Sequence, residues 1–225
     1  MSTAELESRA RAYAALGEPW RLAIVDLLAR TDLASGELAT QLGLPTNLVA
    51  HHLHVLESAG LIERRRSEGD GRRSYVCLTP AGHRLLGLVP LPRPRRVAFV
   101  CSHNSARSQL AEYYWRSVSD VPVLSAGTHP ARGVNRRAVA VARRHGLDLT
   151  TAAPKLAADV LGGDELLIAV CDRAYEELDA RPLHWSIPDP TRRGDSHAFD
   201  EAFDDIARRI DALTASMDAG TRAAR

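Results

Sequence analysis

Cysteine is scarce in this 225-residue chain: three residues, Cys77, Cys101 and Cys171, lie far apart. That excludes a disulfide-stapled framework and suits a reducing compartment. Charge of one sign is also lacking, since 29 Lys and Arg stand against 28 Asp and Glu, a formal net charge of +1. No overall field steers the molecule toward DNA or acidic surfaces, so any basic patch must be local. No apolar run approaches a membrane span, and Met1-Ser2-Thr3-Ala4-Glu5 does not read as a signal peptide. The expectation is a cytoplasmic protein with no membrane partner. Internal repeats and low-complexity segments are absent too. What remains is one or two globular domains, each long enough to bury a core.

The stretch Leu88-Val89-Pro90-Leu91-Pro92-Arg93-Pro94-Arg95-Arg96 divides the chain, because its alternating prolines forbid a helix and favour a stiff, extended connector. Before it the pattern is mostly helical. After it short apolar strands alternate with helices, the signature of a parallel sheet. The organisation read from this is a first domain over 1–87, a linker over 88–95, an α/β domain over 96–216 and a frayed tail over 217–225. In the second domain strands are expected near 96–101, 121–125, 165–171 and 183–187. Helices are expected near 107–118, 134–145, 154–161, 173–179 and 199–216.

The first domain places Trp20, Ile24, Leu27 and Leu28 at helical spacing on a face expected to be buried. Glu37 to Leu42 follows, then a turn at Gly43-Leu44-Pro45, then a second helix carrying Val49, Leu53 and Leu56. Two short helices joined by a glycine-bearing turn make a helix-turn-helix. The other face of its second helix offers Thr46, Asn47, Ala50, His51 and His54 to base edges or phosphates. Leu61 to Arg66 and Arg73 to Leu78 read as paired strands turned by Glu68-Gly69-Asp70-Gly71. This wing carries Arg64, Arg65, Arg66, Arg72 and Arg73 for phosphates or a minor groove. The bland alternative is a winged helix used for protein contact. No metal site is expected: His51 and His54 share the face that DNA needs, and Cys77 reads as a packed small hydrophobe.

Ala15-Leu16-Gly17-Glu18-Pro19-Trp20-Arg21 and His51 through Ile62 resemble the ArsR family of winged-helix repressors, over roughly residues 8 to 86. The resemblance implies a homodimer formed through this domain on operator DNA. Arsenic sensors of that family often carry a cysteine pair where this chain has Ser35-Gly36-Glu37-Leu38-Ala39. Sensing, if present, must therefore use other residues.

The most informative segment is Cys101-Ser102-His103-Asn104-Ser105-Ala106-Arg107-Ser108-Gln109, between the apolar run Val97-Ala98-Phe99-Val100 and a helix-like stretch. A cysteine at a strand end, five small or polar residues and an arginine at a helix mouth describe an oxyanion cradle. Backbone N–H groups of 102 to 106 converge on one point, with the helix N-terminus adding its positive end. Arg107 grips two oxygens in its planar fork. The same field favours Cys101 as the nucleophilic thiolate, with Ser108 donating to sulfur and Asn104 bracing the loop. The alternative is a buried structural cysteine beside a surface arginine. Asp189, fixed in its loop by Pro190, is placed to serve as general acid, or else is a plain turn residue.

From this loop, Ser125-Ala126-Gly127-Thr128 and Ile187-Pro188-Asp189-Pro190, residues 96 to 213 resemble the low-molecular-weight protein tyrosine phosphatases, more closely their arsenate-reductase branch. Gln109, where the phosphatases usually carry proline, and the segment Trp185 to Pro190 favour the reductases. The resemblance implies that Cys101 attacks the oxyanion, Arg107 binds it and Asp189 is the acid. In thioredoxin-linked reductases a cysteine at the position of Cys171 attacks the arsenylated nucleophile, whereas related phosphatases can carry an inert one there. A third relay cysteine is absent, since Tyr175-Glu176-Glu177-Leu178 ends in leucine. No bound cofactor is implied; the reductant is an external thiol, mycothiol or glutathione before a thioredoxin system. Thr151-Ala152-Ala153-Pro154-Lys155 offers Lys155 as a basic member but lacks the histidine the family often has.

The resulting expectation is an arsenate reductase fused to a DNA-binding regulator. One alternative is a phosphatase of phosphotyrosine or small phosphate esters. Against it, Asp189-Pro190 is followed by Thr191-Arg192-Arg193 rather than by aromatic walls. The other is a non-catalytic repressor whose cradle senses arsenate or phosphate by linkage.

Overall fold

Two separate apolar clusters organise the chain, seen in a computed structural model that describes residues 2–85, 90–180 and 182–223. They divide it into two compact units, Met1–Ser67 with Gly71–Val89, and Pro90–Arg225 with Glu68–Asp70. Leu88 and Val89 of the expected linker lie outside the described residues. Among the described residues no helix is long and apolar enough to cross a membrane.

The first unit is a winged helix-turn-helix. It runs α1 (Thr3–Leu16), α2 (Pro19–Leu28), β1 (Leu33–Ala34), α3 (Ser35–Leu42), α4 (Thr46–Ser58), β2 (Ile62–Arg66), β3 (Ser74–Leu78) and α5 (Pro80–Leu85). Pro19 sits where the first helical turn has no N–H to lose, and the Glu18 carboxylate accepts from Arg21 N. Glu37 reaches back to the Ala34 N–H at 2.7 Å and starts α3. Gly43 ends α3 in the left-handed region at φ 65°, freeing the chain to turn into α4. Ile24, Leu38, Val49, Leu53, Leu56 and Val76 are fully buried between these elements. Trp20 is not part of that face: it is 42% exposed, while Ile24 and Leu28 point inward. It stands in the first turn of α2, where the helix has barely begun to cover the core. The hairpin pairs antiparallel with Arg64 opposite Val76, and β1 adds a two-residue third strand too short to read from sequence. Cys77 is buried in β3, as a packed small side chain would be.

The second unit is α/β. It continues with β4 (Val97–Cys101), α6 (Arg107–Val118), β5 (Val123–Gly127), α7 (Arg136–Arg144), α8 (Ala157–Val160) and β6 (Leu166–Ala169). It closes with α9 (Asp172–Glu177), β7 (Leu183–His184), α10 (Pro190–Arg193) and α11 (Ser196–Ala223). Its four strands are all parallel in the order β5-β4-β6-β7. β4 is central and buried at every position, as a parallel strand covered on both faces must be. Phe99 and Trp115 meet edge to face at 5.8 Å, and Trp115 donates its indole N–H to Val121 O. Burying each such ring stabilises the fold by roughly 1.5–3 kcal/mol.

Several boundaries differ from the sequence reading. The strand expected at 121–125 runs Val123–Gly127, and the Pro122 carbonyl accepts from Val97 N just before it. The strand expected at 183–187 keeps two residues: after a last bond from Trp185 N to Ala169 O at 2.8 Å, the chain turns so that Ile187 O meets Arg107. The helix expected at 154–161 is a single turn after Pro154. The tail expected to fray from 217 instead prolongs α11 to Ala223. Residues 90–95 form no helix or strand, yet Leu91 is anchored on α11 through Ser216 O at 3.0 Å. The second unit therefore includes that segment.

Candidate active site

Sheet topology delivers the site. The strand order reverses around β4, and the C-terminal ends of β4, β5 and β6 open onto one edge, where α/β sheets bind ligands. Cys101 closes β4, Gly127 closes β5 and Cys171 follows β6.

The loop after Cys101 is shaped from behind. Thr128, His129, Ala131 and Asn135 donate their backbone N–H groups to the carbonyls of Cys101, Ser102, His103 and Ser105, at 2.7–3.1 Å. With those carbonyls drawn outward, the peptide N–H groups are free to turn inward, and the Asn104 N–H reaches Cys101 Sγ at 3.2 Å. The β5 strand lies so close that a Cβ on Gly127 would sit 2.8 Å from Ser102 O and 3.0 Å from Asn104 N. Glycine is required there by space rather than by φ.

Asn104 is buried at φ 47°, a left-handed conformation that asparagine tolerates better than most residues. Its Nδ2 donates to Ser108 Oγ and Ser125 Oγ, both at 2.8 Å, and its Oδ1 accepts from Lys155 N at 2.8 Å. Ser108 Oγ in turn lies 3.0 Å from Cys101 Sγ. Gln109 adds a brace, donating to Asn104 and to Ala153 O. Behind this layer the Ser125 hydroxyl donates at 2.5 Å to the buried Glu112 carboxylate, which pairs with Arg116 and, at 3.2 Å, with Lys155 Nζ. Lys155 is the chain's single lysine. Sequence reasoning missed Glu112, whose helical position gives no sign of a buried partner across the site.

Arg107 begins α6 with its side chain 8% exposed. Its Nη1 donates to Ile187 O at 2.8 Å and its Nη2 pairs with Asp189 Oδ2 at 3.1 Å. Asp189 caps α10, its Oδ1 accepting from the Thr191 N–H and hydroxyl at 2.9 and 2.7 Å. Burial would push the Asp189 carboxyl up, but Arg107 beside it and the two Thr191 hydrogen bonds hold it below the usual range. Cys171 Sγ lies 3.6 Å from Ser102 Oγ and accepts from Ala174 N. Burial pushes its thiol up, with Arg107 pulling the other way. The fold thus gathers Cys101, Arg107, Ser108, Asp189 and Cys171 at one sheet edge. Ser102, Asn104 and Ala106 are buried with them, and His103 is exposed at the rim.

Residues 96–223 match the family described as low molecular weight phosphotyrosine protein phosphatase, more than half of the chain. The chain belongs to that family. Residues 16–65 of this family member also match a helix-turn-helix domain. It is 29% identical over 124 residues to arsenate reductase 1 of Staphylococcus haemolyticus, covering 52% of this chain and 92% of that protein. It is 28% identical over 127 residues to an arsenate reductase of Bacillus subtilis, covering 51% and 91%. Among solved structures it is similar to an arsenate reductase from Archaeoglobus fulgidus, at 24% identity and TM-score 0.47, covering 53% of this chain and 98% of that one.

In the helix-turn-helix unit, Thr46, Asn47, Ala50, His51 and His54 form one exposed face of α4, opposite the buried Val49, Leu53 and Leu56. His52 points the other way, buried 3.5 Å from Glu18. On the wing Arg66, Arg72 and Arg73 are exposed. Arg65 is half-buried against Glu63 at 2.6 Å, and Arg64 pairs with Glu57 at 3.4 Å and bonds Ser35. Part of the wing's positive charge is therefore already matched within the unit.

Proposed function

We propose that the phosphatase-family unit reduces arsenate with thiols and that the winged-helix unit binds operator DNA as a dimer. Arsenate enters the loop of residues 102–107, its oxygens on the inward N–H groups and on the Arg107 fork. Cys101 Sγ attacks arsenic, forming a sulfur–arsenic bond. One arsenic–oxygen bond breaks, and Asp189 supplies the proton that lets that oxygen leave as water. A second thiol, Cys171 or an external low-molecular-weight thiol, then attacks Cys101 sulfur. A disulfide forms, the sulfur–arsenic bond breaks, and its electron pair stays on arsenic, which departs as arsenite. An external thiol such as mycothiol or glutathione restores the dithiol state.

The observation that carries this reading is the second buried thiol, linked through Ser102 Oγ to the loop of the first. Hydrolysis of a phosphate ester needs one sulfur; two-electron reduction needs another. In the resting state Arg107 holds Asp189 below the usual carboxylate range, so the acid gains its proton only as the oxyanion binds. A bound oxyanion would draw Arg107 away and bring its own negative charge, and both changes raise the affinity of Asp189 for the proton it must donate. The competing reading is phosphate-ester hydrolysis. It is favoured by the same cradle and acid, which fit phosphate equally well.

Arsenite release under a panel of thiols, measured beside aryl-phosphate hydrolysis, separates the two. Cys101→Ser is expected to abolish turnover and to keep anion binding. Arsenate reduction by that variant would remove the assignment.

A further inference from the structure

The two loops that carry Cys171 and Asp189 are joined by a buried pair the chemistry itself does not call for. His184 ends β7 with no exposure, and its Nε2 lies 2.9 Å from Asp172 Oδ1, whose residue is 4% exposed. Asp172 directly follows Cys171; His184 begins the segment that reaches Ile187 and Asp189. The Ser186 side chain also donates to Asp172, and Tyr175 stacks on the His184 ring at 4.2 Å and 8°. Keeping a carboxylate such as Asp172 away from water is unfavourable unless it is well hydrogen-bonded, and a well-packed apolar pair would hold the core as well. What the polar pair adds is direction: a hydrogen bond fixes register where apolar contact permits sliding.

We propose that Asp172 and His184 are positioning residues for the second thiol. They pin the start of α9 to the end of β7. This sets Cys171 against the Cys101 loop. The inference rests on the reading of Cys171 as a reacting thiol. Neither residue touches the oxyanion; both act through the loops they tie.

The test uses the full chain with Asp172→Asn, His184→Gln and the double variant. Diamide, an oxidant that takes two electrons and two protons from a pair of thiols, is the probe, and mass spectrometry follows the Cys101–Cys171 disulfide. In the wild type this disulfide is expected to form readily. Each single variant is expected to slow it by about tenfold or more, and the double variant no further than the slower single one, as for residues acting as a unit. Protection of Cys101 from iodoacetamide by inorganic phosphate is expected to stay within about twofold of wild type in all three. Wild-type disulfide rates in the isosteric Asp172→Asn protein would overturn the proposal. So would loss of phosphate protection in step with the disulfide, since the pair would then merely hold the fold. Absence of the disulfide in the wild type would overturn it as well. A disulfide that forms with diamide but never with arsenate would sink the reductase reading and leave the positioning role standing.

Discussion

At the scale of single residues, the site is built on side chains that each satisfy several partners. Asn104 ties Ser108, Ser125, Gln109 and Lys155 from one buried amide. Asn104→Ala leaves these groups without their partner and places alanine at positive φ. Chemical denaturation is expected to show a loss of roughly 3 kcal/mol, with turnover falling alongside. Asp189 sits in a different balance, because its carboxylate competes with any oxyanion for Arg107. Asp189→Asn is expected to lower kcat by about 10²–10⁴-fold, the usual worth of a general acid. The same variant is expected to bind phosphate more tightly, read as stronger protection of Cys101 from alkylation. Weaker binding would mean that Asp189 does not occupy the arginine in the resting state. Such roles were only half legible. Cys101, Arg107 and Asp189 announce themselves by spacing and by proline, whereas Glu112 looks like any helix-surface acid until β5 and Lys155 pack over it.

At the scale of elements, periodicity and punctuation predicted most of what formed. The glycine at 43 and the apolar spacing of Val49, Leu53 and Leu56 made α4 and its exposed face readable. If that face reads DNA, His51→Ala should change preference between operator sequences. Arg72→Ala or Arg73→Ala should instead weaken binding uniformly and reduce the salt slope by about one. Fluorescence anisotropy across a salt series distinguishes the two kinds of effect. Some of the shortest elements escaped the sequence, although α8, α9 and β7 fall within the stretches expected as longer ones. β1 and α10 carry too few residues for any period to emerge, and only their neighbours make them regular.

For the whole molecule, acid sensitivity follows from the two loop carboxylates. Burial would push Asp172 up, but hydrogen bonds from His184, the Glu68 N–H and Ser186 hold it below its usual value, and Arg107 does the same for Asp189. A carboxyl with a lower proton affinity folded than unfolded binds fewer protons in the native state. Its stabilisation is fully present above about pH 4 and is lost as pH falls through the folded value. Melting temperatures taken from neutral to acid pH should decline there, and Asp172→Asn should flatten that decline. By itself the sequence determined the two-part organisation, the strand–loop–helix around Cys101 and the exposed polar face of α4. Those depend on residues within a few positions of one another, and short-range sterics and periodicity act at that distance. Only the tertiary structure decided which carbonyls the 128–135 segment draws outward, which carboxylate supports Ser125, and which histidine holds the loop of the second thiol. Those pairings join residues far apart in the chain. Their strength comes from being desolvated together, a condition that exists only once the sheet and helices have packed.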